Sequence, residues 1–377
     1  MNGTLVLTPA QAEDVPGATT LLGLPILCRN LLAARRAGFG RLVVVGERFP
    51  ALPDGVEKVA PGEALTVEPG RLLLLSPRAL ATVKGMVALR NGAVTESVRL
   101  ADGLAALADL TAPLRLAGGS FESAAAGLAA RLPVTPLAET PSGVLALTSA
   151  RDLPRAERWL LDGLLKDNEG FMSRHFERKV SLAISRRLAF TSVTPNAMTV
   201  VMVLVGLAAA PFFLNASPAA QTIGSLLFLL HSILDGCDGE LARLKFQESR
   251  WGGILDFWGD NVVHVAVFTC MGIGWSRAIG QGWPVLLGLS ASLGTLLSTG
   301  WVYLHTMRGP KEGALFTGVT QGSHLVDKLA NRDFIYLVLL LSLFGKADWF
   351  LVAAAIGAPT FFLALVWITI RERGRNS

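Results

Sequence analysis

Long apolar stretches fill the second half of this 377-residue chain, and they constrain its fold more than any other feature. A helix needs about 20 apolar residues to cross a bilayer, because no water is available there to satisfy exposed backbone groups. The hydropathy pattern predicts six such spans, at roughly 198–216, 219–241, 255–275, 284–305, 333–346 and 349–370. Only 17% of the residues are charged, against about 25% in ordinary soluble proteins. The sequence therefore predicts an integral membrane protein.

The first part of the chain has the pattern of a soluble α/β domain. Thr4–Leu7, Arg41–Val45 and Arg71–Leu75 are short apolar runs typical of buried strands. Leu24–Ala37 has the pattern of a helix that ends at Gly38. Strands that alternate with helices predict an α/β domain with a largely parallel sheet.

Composition and charge divide the chain into three parts. Residues 1–140 are the α/β domain, 151–195 a juxtamembrane amphipathic connector, and 196–377 an all-α domain of six transmembrane helices. Basic residues gather in the loops on one side of the spans, which predicts that both ends of the chain lie in the cytoplasm. Met1–Pro16 lacks the basic start of a signal peptide, in agreement with this orientation. The topology accounts for the net charge of +5, so no nucleic-acid partner is predicted.

Four aspartates at helical spacing flank the loop between the second and third predicted spans. Asp235 and Asp238 are three residues apart, and Asp256 and Asp260 are four apart, so each pair shares a helix face. Two antiparallel helices joined by the polar loop can bring the four carboxylates together. Acids in apolar surroundings are costly unless a cation neutralises them. An all-oxygen set favours Mg²⁺, Mn²⁺ or Ca²⁺ over zinc, and such an ion suits phosphoryl chemistry.

The same stretch resembles the signature of a known enzyme family. From Asp235 to Asp260 it reads D-x2-D-G-x2-A-R-x8-G-x3-D-x3-D, the pattern of the CDP-alcohol phosphotransferases. The resemblance implies a dimer of six-helix protomers with two metal ions, Mg²⁺ or Mn²⁺, bound by Asp235, Asp238 and Asp256. Asp260 would bind metal or act as the catalytic base that deprotonates the acceptor hydroxyl. That hydroxyl would attack the phosphorus attached to the donor's alcohol, and CMP would leave.

The resemblance also implies residues that bind the two substrates. The CDP pocket would be lined by Gly239, Ala242, Arg243, Gly252 and, from a TPNxxT sequence that opens the first span, Asn196 and Thr199. An acceptor that carries phosphate would need basic ligands, for which the candidates are Lys311, Arg332, Arg174 and Lys179. Positive-inside topology and contact with lipid headgroups are the alternative explanation for each of these basic residues.

The N-terminal domain resembles a nucleotidyltransferase that has lost its catalytic elements. Residues 21–46 are similar to the segment that follows the nucleotide-binding loop in inositol-phosphate cytidylyltransferase/di-inositol phosphate synthase fusions. An active loop needs glycines whose amides hold the triphosphate. Here Thr8–Asp14 contains none, and Ser76–Arg78 stands where the active family has a metal-binding aspartate. The domain is predicted to be inactive and to serve as a scaffold, a dimerisation surface or a docking site.

The two substrates stay open at this point. In one version the donor is CDP-diacylglycerol and the acceptor is a soluble alcohol such as inositol phosphate. In the other version the donor is a soluble CDP-alcohol and the acceptor is a lipid or a second inositol phosphate. A di-inositol phosphate phosphate synthase-type reaction that uses CDP-inositol is an example of the second version. The predicted location is a bacterial inner membrane.

Two other classes of function compete with the enzyme. A divalent-cation or proton-coupled transporter predicts acids deeper in several spans, and a non-catalytic scaffold would tolerate Asp260→Asn. His231 and His264 lie one turn from Asp235 and Asp260. Both are interpreted as structural histidines, and tuning of the base or binding of a headgroup is the alternative.

Overall fold

Two compact units make up the chain. The computed structural model describes residues 3–7, 18–46, 51–92, 98–101, 104–117, 119–136, 143–165, 172–307 and 334–376. The units are Met1–Gly163 and Leu164–Ser377. The division between them falls inside the stretch predicted as the connector.

The first unit is an α/β domain built on a seven-stranded sheet. In order across the sheet, its strands are β12 (Val134–Pro136), β9 (Val98–Ala101), β10 (Ala105–Leu110), β7 (Gly70–Leu75), β1 (Gly3–Leu7), β4 (Arg41–Val45) and β5 (Val56–Val59). Strand β10 runs antiparallel to both of its neighbours, and the other pairs are parallel. The predicted α/β fold with a largely parallel sheet is confirmed.

Three two-stranded ribbons and four α-helices are also present among the described residues of the first unit. The ribbons pair β2 (Thr20–Leu21) with β3 (Leu24–Pro25), β6 (Ala64–Val67) with β11 (Leu114–Ala117), and β8 (Ala79–Ala81) with β13 (Val144–Ala146). The helices are α1 (Ile26–Arg36), α2 (Val83–Asn91), α3 (Phe121–Ala129) and α4 (Leu153–Asp162). Helix α4 holds part of the predicted connector and buries Ala156, Leu160 and Leu161.

The segment that resembles a nucleotidyltransferase is tied together by a buried arginine. Arg29 on α1 donates hydrogen bonds from Nη2 to the carbonyl oxygens of Leu21 and Leu22, at 2.8 and 3.1 Å. Burial lowers the pKa of Arg29 to about 10, so the guanidinium keeps its charge at neutral pH. Gly38, with φ of +87°, follows the end of α1 as the sequence predicted. The predicted loop Thr8–Asp14 lies outside the described residues.

The second unit is helical. Its helices are α5 (Arg178–Leu188), α6 (Pro195–Ala209), α7 (Pro218–Lys245), α8 (Arg250–Ile279), α9 (Trp283–Val302), a short helix (Phe334–Leu343) and a last helix (Ala347–Asn376). Among the described residues, five helices are long and apolar enough to cross a membrane. They are Pro195–Leu214, Pro218–Lys245, Arg250–Ile279, Trp283–His305 and Ala347–Arg371. The short helix lies where the fifth of six spans was predicted, and the count of six stays a prediction.

Hydroxyl side chains set the starts of three of these helices. Thr194, Ser217 and Ser249 are the N-cap residues of α6, α7 and α8, and each accepts a hydrogen bond from a backbone N–H of the first turn. Pro195 and Pro218 follow two of the caps at the first helical position, where a missing N–H costs nothing. These caps define where the three helices begin.

Glycines let α6 and α8 approach each other closely. A Cβ atom at Gly206 would lie 2.5 Å from Cγ1 of Val263, and one at Gly259 would lie 2.5 Å from Cγ2 of Val203. Small residues at helix contacts are the usual means of close packing in membranes. Helix α6 also packs against α7, so it bridges the two helices that carry the aspartates.

Candidate active site

The four predicted aspartates lie on α7 and α8. Asp235 and Asp238 lie in the last three turns of α7, and Asp256 and Asp260 lie in the first three turns of α8. Asp238 is buried, with 5% of its surface exposed. Asp260 on α8 lies 3.1 Å from Nε2 of His231, which is one turn before Asp235 on α7, so the acids of the two helices lie in one region.

The donor set fits a hard divalent cation by its chemistry. Carboxylate oxygens are the ligands that Mg²⁺ and Mn²⁺ prefer, and both helices supply them here. Within the described ranges, no three His, Cys, Asp or Glu side chains are already grouped around one point. The carboxylates would therefore have to turn toward an ion as it binds.

Thr199 joins the predicted CDP pocket to a predicted metal ligand. Its hydroxyl donates a hydrogen bond to Oδ2 of Asp238 at 2.6 Å, across 39 residues of sequence. Thr199 is buried, with 2% exposure, so water does not compete for this bond. The contact fixes one carboxylate oxygen of Asp238 toward α6.

The remaining candidates for CDP binding gather at the same helix ends. A Cβ atom at Gly252 would lie 2.9 Å from Oδ1 of Asn196, so the starts of α6 and α8 approach each other closely there. A Cβ atom at Gly239 would lie 3.4 Å from Nη1 of Arg243. Ala242, which lies between Gly239 and Arg243 on α7, is partly exposed. These residues belong to the same ends of α6, α7 and α8 as the aspartates.

The candidates for acceptor binding are only partly described. Arg174 lies in the π-helical turn Ser173–Glu177 and Lys179 lies on α5, and both are exposed. Lys311 and Arg332 lie outside the described residues. Of the four basic candidates, the structure therefore places two, and both are exposed in the segment that precedes α6.

A buried acid on the aspartate-bearing helix was missed by the sequence reasoning. Glu240 on α7 accepts hydrogen bonds from the hydroxyls of Ser181 and Ser185, both at 2.7 Å, and from Nη1 of Arg178 at 2.9 Å. All three donors lie on α5. The Glu240 side chain is only 1% exposed, so this contact clamps the helix before the first span onto α7. The sequence signal for this contact was the spacing of Arg178, Ser181 and Ser185, which are three and four residues apart and so share one helix face.

His231 is the second residue whose contacts were missed. It lies one turn before Asp235 on α7, and its Nε2 atom is 3.1 Å from Oδ1 of Asp260 on α8. Its Nδ1 atom is 2.9 Å from the carbonyl oxygen of Met202 on α6. The side chain is 1% exposed. Its position one turn from a motif aspartate was the only signal in the sequence.

Comparison with known proteins agrees with this arrangement. Residues 192–370 match the family model described as CDP-alcohol phosphatidyltransferase. The chain is 42% identical over 106 residues to a Thermococcus kodakarensis protein named bifunctional IPC transferase and DIPP synthase, covering 28% of this chain and 23% of that protein. It is 35% identical over 225 residues to the Aquifex aeolicus protein of the same name, covering 59% and 50%.

A solved structure has a weaker similarity. The phosphatidylinositol phosphate synthase of Mycobacterium tuberculosis, with CDP-DAG bound, gives a TM-score of 0.35 at 19% identity and covers 50% of this chain and 94% of that chain. The chain spans half the length, or less, of the two curated relatives above. The family match includes all four aspartates and the helices that carry them. Residues 192–370 are therefore a CDP-alcohol phosphatidyltransferase domain, set in an integral membrane protein.

Proposed function

We propose that the second unit transfers a phosphoalcohol group from a CDP-linked donor to the hydroxyl of an acceptor alcohol and releases CMP. The observation that carries the proposal is the meeting of motif residues from three helices, joined by the Thr199–Asp238 and His231–Asp260 contacts. The family match over the same residues supports it. The names of the two curated relatives also favour transfer chemistry over transport.

The proposed reaction is a substitution at phosphorus. The acceptor oxygen forms a bond to the phosphorus that bears the donor's alcohol, and the bond from that phosphorus to CMP breaks. Asp260 takes the proton of the acceptor hydroxyl, and CMP leaves with the bonding electrons. Mg²⁺ or Mn²⁺, bound by Asp235, Asp238 and Asp256 as two ions, would neutralise the pyrophosphate oxygens.

The helix ends around the aspartates hold the donor in this proposal. Gly239 and Gly252 leave room for the nucleotide to approach the backbone of α7 and α8, and Arg243 supplies a positive charge for its phosphates. Asn196 and Thr199 come from the start of α6. Arg174, Lys179, Lys311 and Arg332 are proposed for an acceptor that carries phosphate.

Two donor and acceptor pairs fit the site. In one, CDP-diacylglycerol gives its phosphatidyl group to a soluble alcohol such as inositol phosphate. In the other, CDP-inositol gives an inositol-phosphate group to a lipid or to a second inositol phosphate. The similarity to relatives named bifunctional IPC transferase and DIPP synthase favours inositol chemistry for this chain.

The setting of the enzyme is part of the proposal. We place the first unit, the aspartates and the C-terminus in the cytoplasm, on the basis of the basic loops. Membrane lipids surround the second unit, and a homodimer is expected from the family resemblance. The first unit is proposed to act as an inactive scaffold or docking domain.

Release of CMP by the purified full-length chain in detergent tests the proposal. The assay uses Mg²⁺ or Mn²⁺ and offers CDP-diacylglycerol with inositol phosphate, glycerol phosphate, inositol or serine, and separately CDP-inositol with lipid or inositol-phosphate acceptors. We expect acceptor-dependent CMP from one pair and a loss of at least about a hundredfold in Asp256→Ala, in line with the loss of a catalytic metal ligand. Asp348→Ala, the same change at the start of the last helix, is the matched control and should keep full activity.

The outcome also separates the competing classes. Equal CMP release from Asp256→Ala and Asp348→Ala would contradict the proposed site. If no pair gives CMP, metal-dependent binding of a CDP donor decides between an enzyme and a transporter, because only the enzyme requires that binding. A scaffold predicts that Asp260→Asn leaves cellular function intact, whereas the proposed reaction predicts its loss.

A further inference from the structure

His231 is buried where three helices meet. It lies on α7, its Nδ1 atom faces α6 and its Nε2 atom faces α8. The ring stacks on Phe228, with the two ring planes 5° apart. A Cβ atom at Gly206 on α6 would lie 2.9 Å from Nδ1, so the absence of a side chain there makes room for the imidazole.

The contact with α6 fixes which nitrogen faces the aspartate. The carbonyl oxygen of Met202 can only accept a hydrogen bond, so Nδ1 must carry a hydrogen. The stacked and buried ring cannot turn without losing that bond. Nε2 is thus held toward Oδ1 of Asp260 at 3.1 Å, and it donates to this carboxylate when the imidazole carries both of its protons.

We propose that His231 is a positioning residue that holds the Asp260 carboxylate by Oδ1 and so sets how this side chain meets the metal ion and the acceptor. This inference rests on the proposed function, because Asp260 has the roles of base and metal ligand there. Partners of this kind orient metal ligands in many enzymes, and their loss typically lowers activity or metal affinity by about 10–100-fold.

A purely structural role gives a different expectation. If His231 served only to tie α7 to α6, its contact with Met202 would be the important one. The two contacts use different nitrogens, so two substitutions separate them. His231→Gln places its amide nitrogen near the position of Nε2 and keeps a donor toward Asp260. His231→Asn places its amide nitrogen near the position of Nδ1 and keeps a donor toward Met202.

The experiment compares these two variants of the full-length chain in detergent. The readouts are kcat and KM for CMP release with the substrate pair that the wild-type protein uses, and Mn²⁺ affinity by electron paramagnetic resonance. We expect His231→Asn to lower kcat by about 10–100-fold and to weaken Mn²⁺ binding. His231→Gln should stay within about threefold of wild type in both readouts, as expected when an oriented partner is conserved.

Thermal unfolding of both variants controls for loss of the fold. The reverse order, with His231→Gln the poorer variant, would overturn the inference in favour of the structural role. Equal values for the two variants would overturn it as well. If the wild-type protein binds Mn²⁺ but releases no CMP, the order of Mn²⁺ affinities decides. If it does neither, the proposed function fails, and the role of His231 fails with it.

Discussion

At the scale of single residues, the site depends on side chains that hold the acids as much as on the acids themselves. Asp238 is fixed by Thr199, and Asp260 is contacted by His231. Both partners are nearly inaccessible to water, so each bond is made in surroundings where its loss is not compensated by solvent. In the proposed reaction the aspartates supply the chemistry, and their partners hold them in position.

Thr199 gives a direct test at this scale. We expect Thr199→Val, which has nearly the same volume, to weaken Mn²⁺ binding by about tenfold, because the Asp238 carboxylate loses its hydroxyl donor. Thr199→Ser keeps the hydroxyl and should stay within about twofold of wild type by the same reasoning. Mn²⁺ titration followed by electron paramagnetic resonance measures both variants. Equal affinities for the valine and serine variants would show that this bond does not orient Asp238.

At the scale of secondary-structure elements, α5 is an integral part of the membrane unit. Arg178, Ser181 and Ser185 of α5 donate hydrogen bonds to Glu240, which lies two residues after Asp238 on α7. A Cβ atom at Gly236 would lie 2.9 Å from Nη1 of Arg178, so the guanidinium rests directly on the turn that carries the first two aspartates. A shift of α5 would therefore be transmitted to Asp235 and Asp238, the proposed metal ligands on α7.

Removal of Glu240 should loosen this contact at a large cost in stability. We expect Glu240→Ala to lower the free energy of unfolding by about 3–5 kcal/mol, because it removes the buried counter-ion of Arg178. Equilibrium unfolding in a denaturing detergent measures the change. The double variant Arg178→Ala/Glu240→Ala should be less destabilised than the sum of the single variants, since it removes both charges. Strict additivity would mean that the two charges do not depend on each other.

Contacts between elements mark the limit of what the sequence could predict. The spacing of Asp235, Asp238, Asp256 and Asp260 was informative because helical periodicity relates residues within one element. The contacts of His231 with Asp260 and of Ser181 with Glu240 join residues 29 and 59 positions apart, and no local rule relates them.

The same limit applies to strand direction in the first unit. Strands β1, β4 and β7 were predicted from their apolar runs, whereas β10, which was not predicted, runs antiparallel to β7 and β9. Its direction depends on which segments pair, and the runs alone do not carry that information.

At the scale of the whole molecule, the chain joins an α/β unit to a helical membrane unit. The first keeps the sheet, the buried Arg29 and the glycine turn after α1, all of which serve the fold. At the position where an active nucleotidyltransferase is expected to place an acid, Ser76 is 1% exposed and its hydroxyl accepts from the backbone N–H of Arg78. A neutral, buried side chain of this kind makes a poor metal ligand.

The first unit should therefore make no CDP-alcohol. We expect the full-length chain to release no pyrophosphate from CTP and inositol phosphate above a no-enzyme blank, with Mg²⁺ present. The measurement is a coupled pyrophosphate assay, and CMP release from a supplied CDP donor by the same preparation shows that the protein is active. CTP-dependent pyrophosphate that follows the protein through purification would contradict the prediction.

The hydrogen bonds from α5 to Glu240 also bear on how domains could be exchanged in such a protein during evolution. Helix α5 precedes the first membrane span, yet its polar side chains are buried against α7 and belong to the second unit. A gene rearrangement that replaced the first unit would be tolerated only if it broke the chain upstream of α5. We expect α5 to be inherited together with the membrane helices, and domains of other kinds to be joined on its N-terminal side.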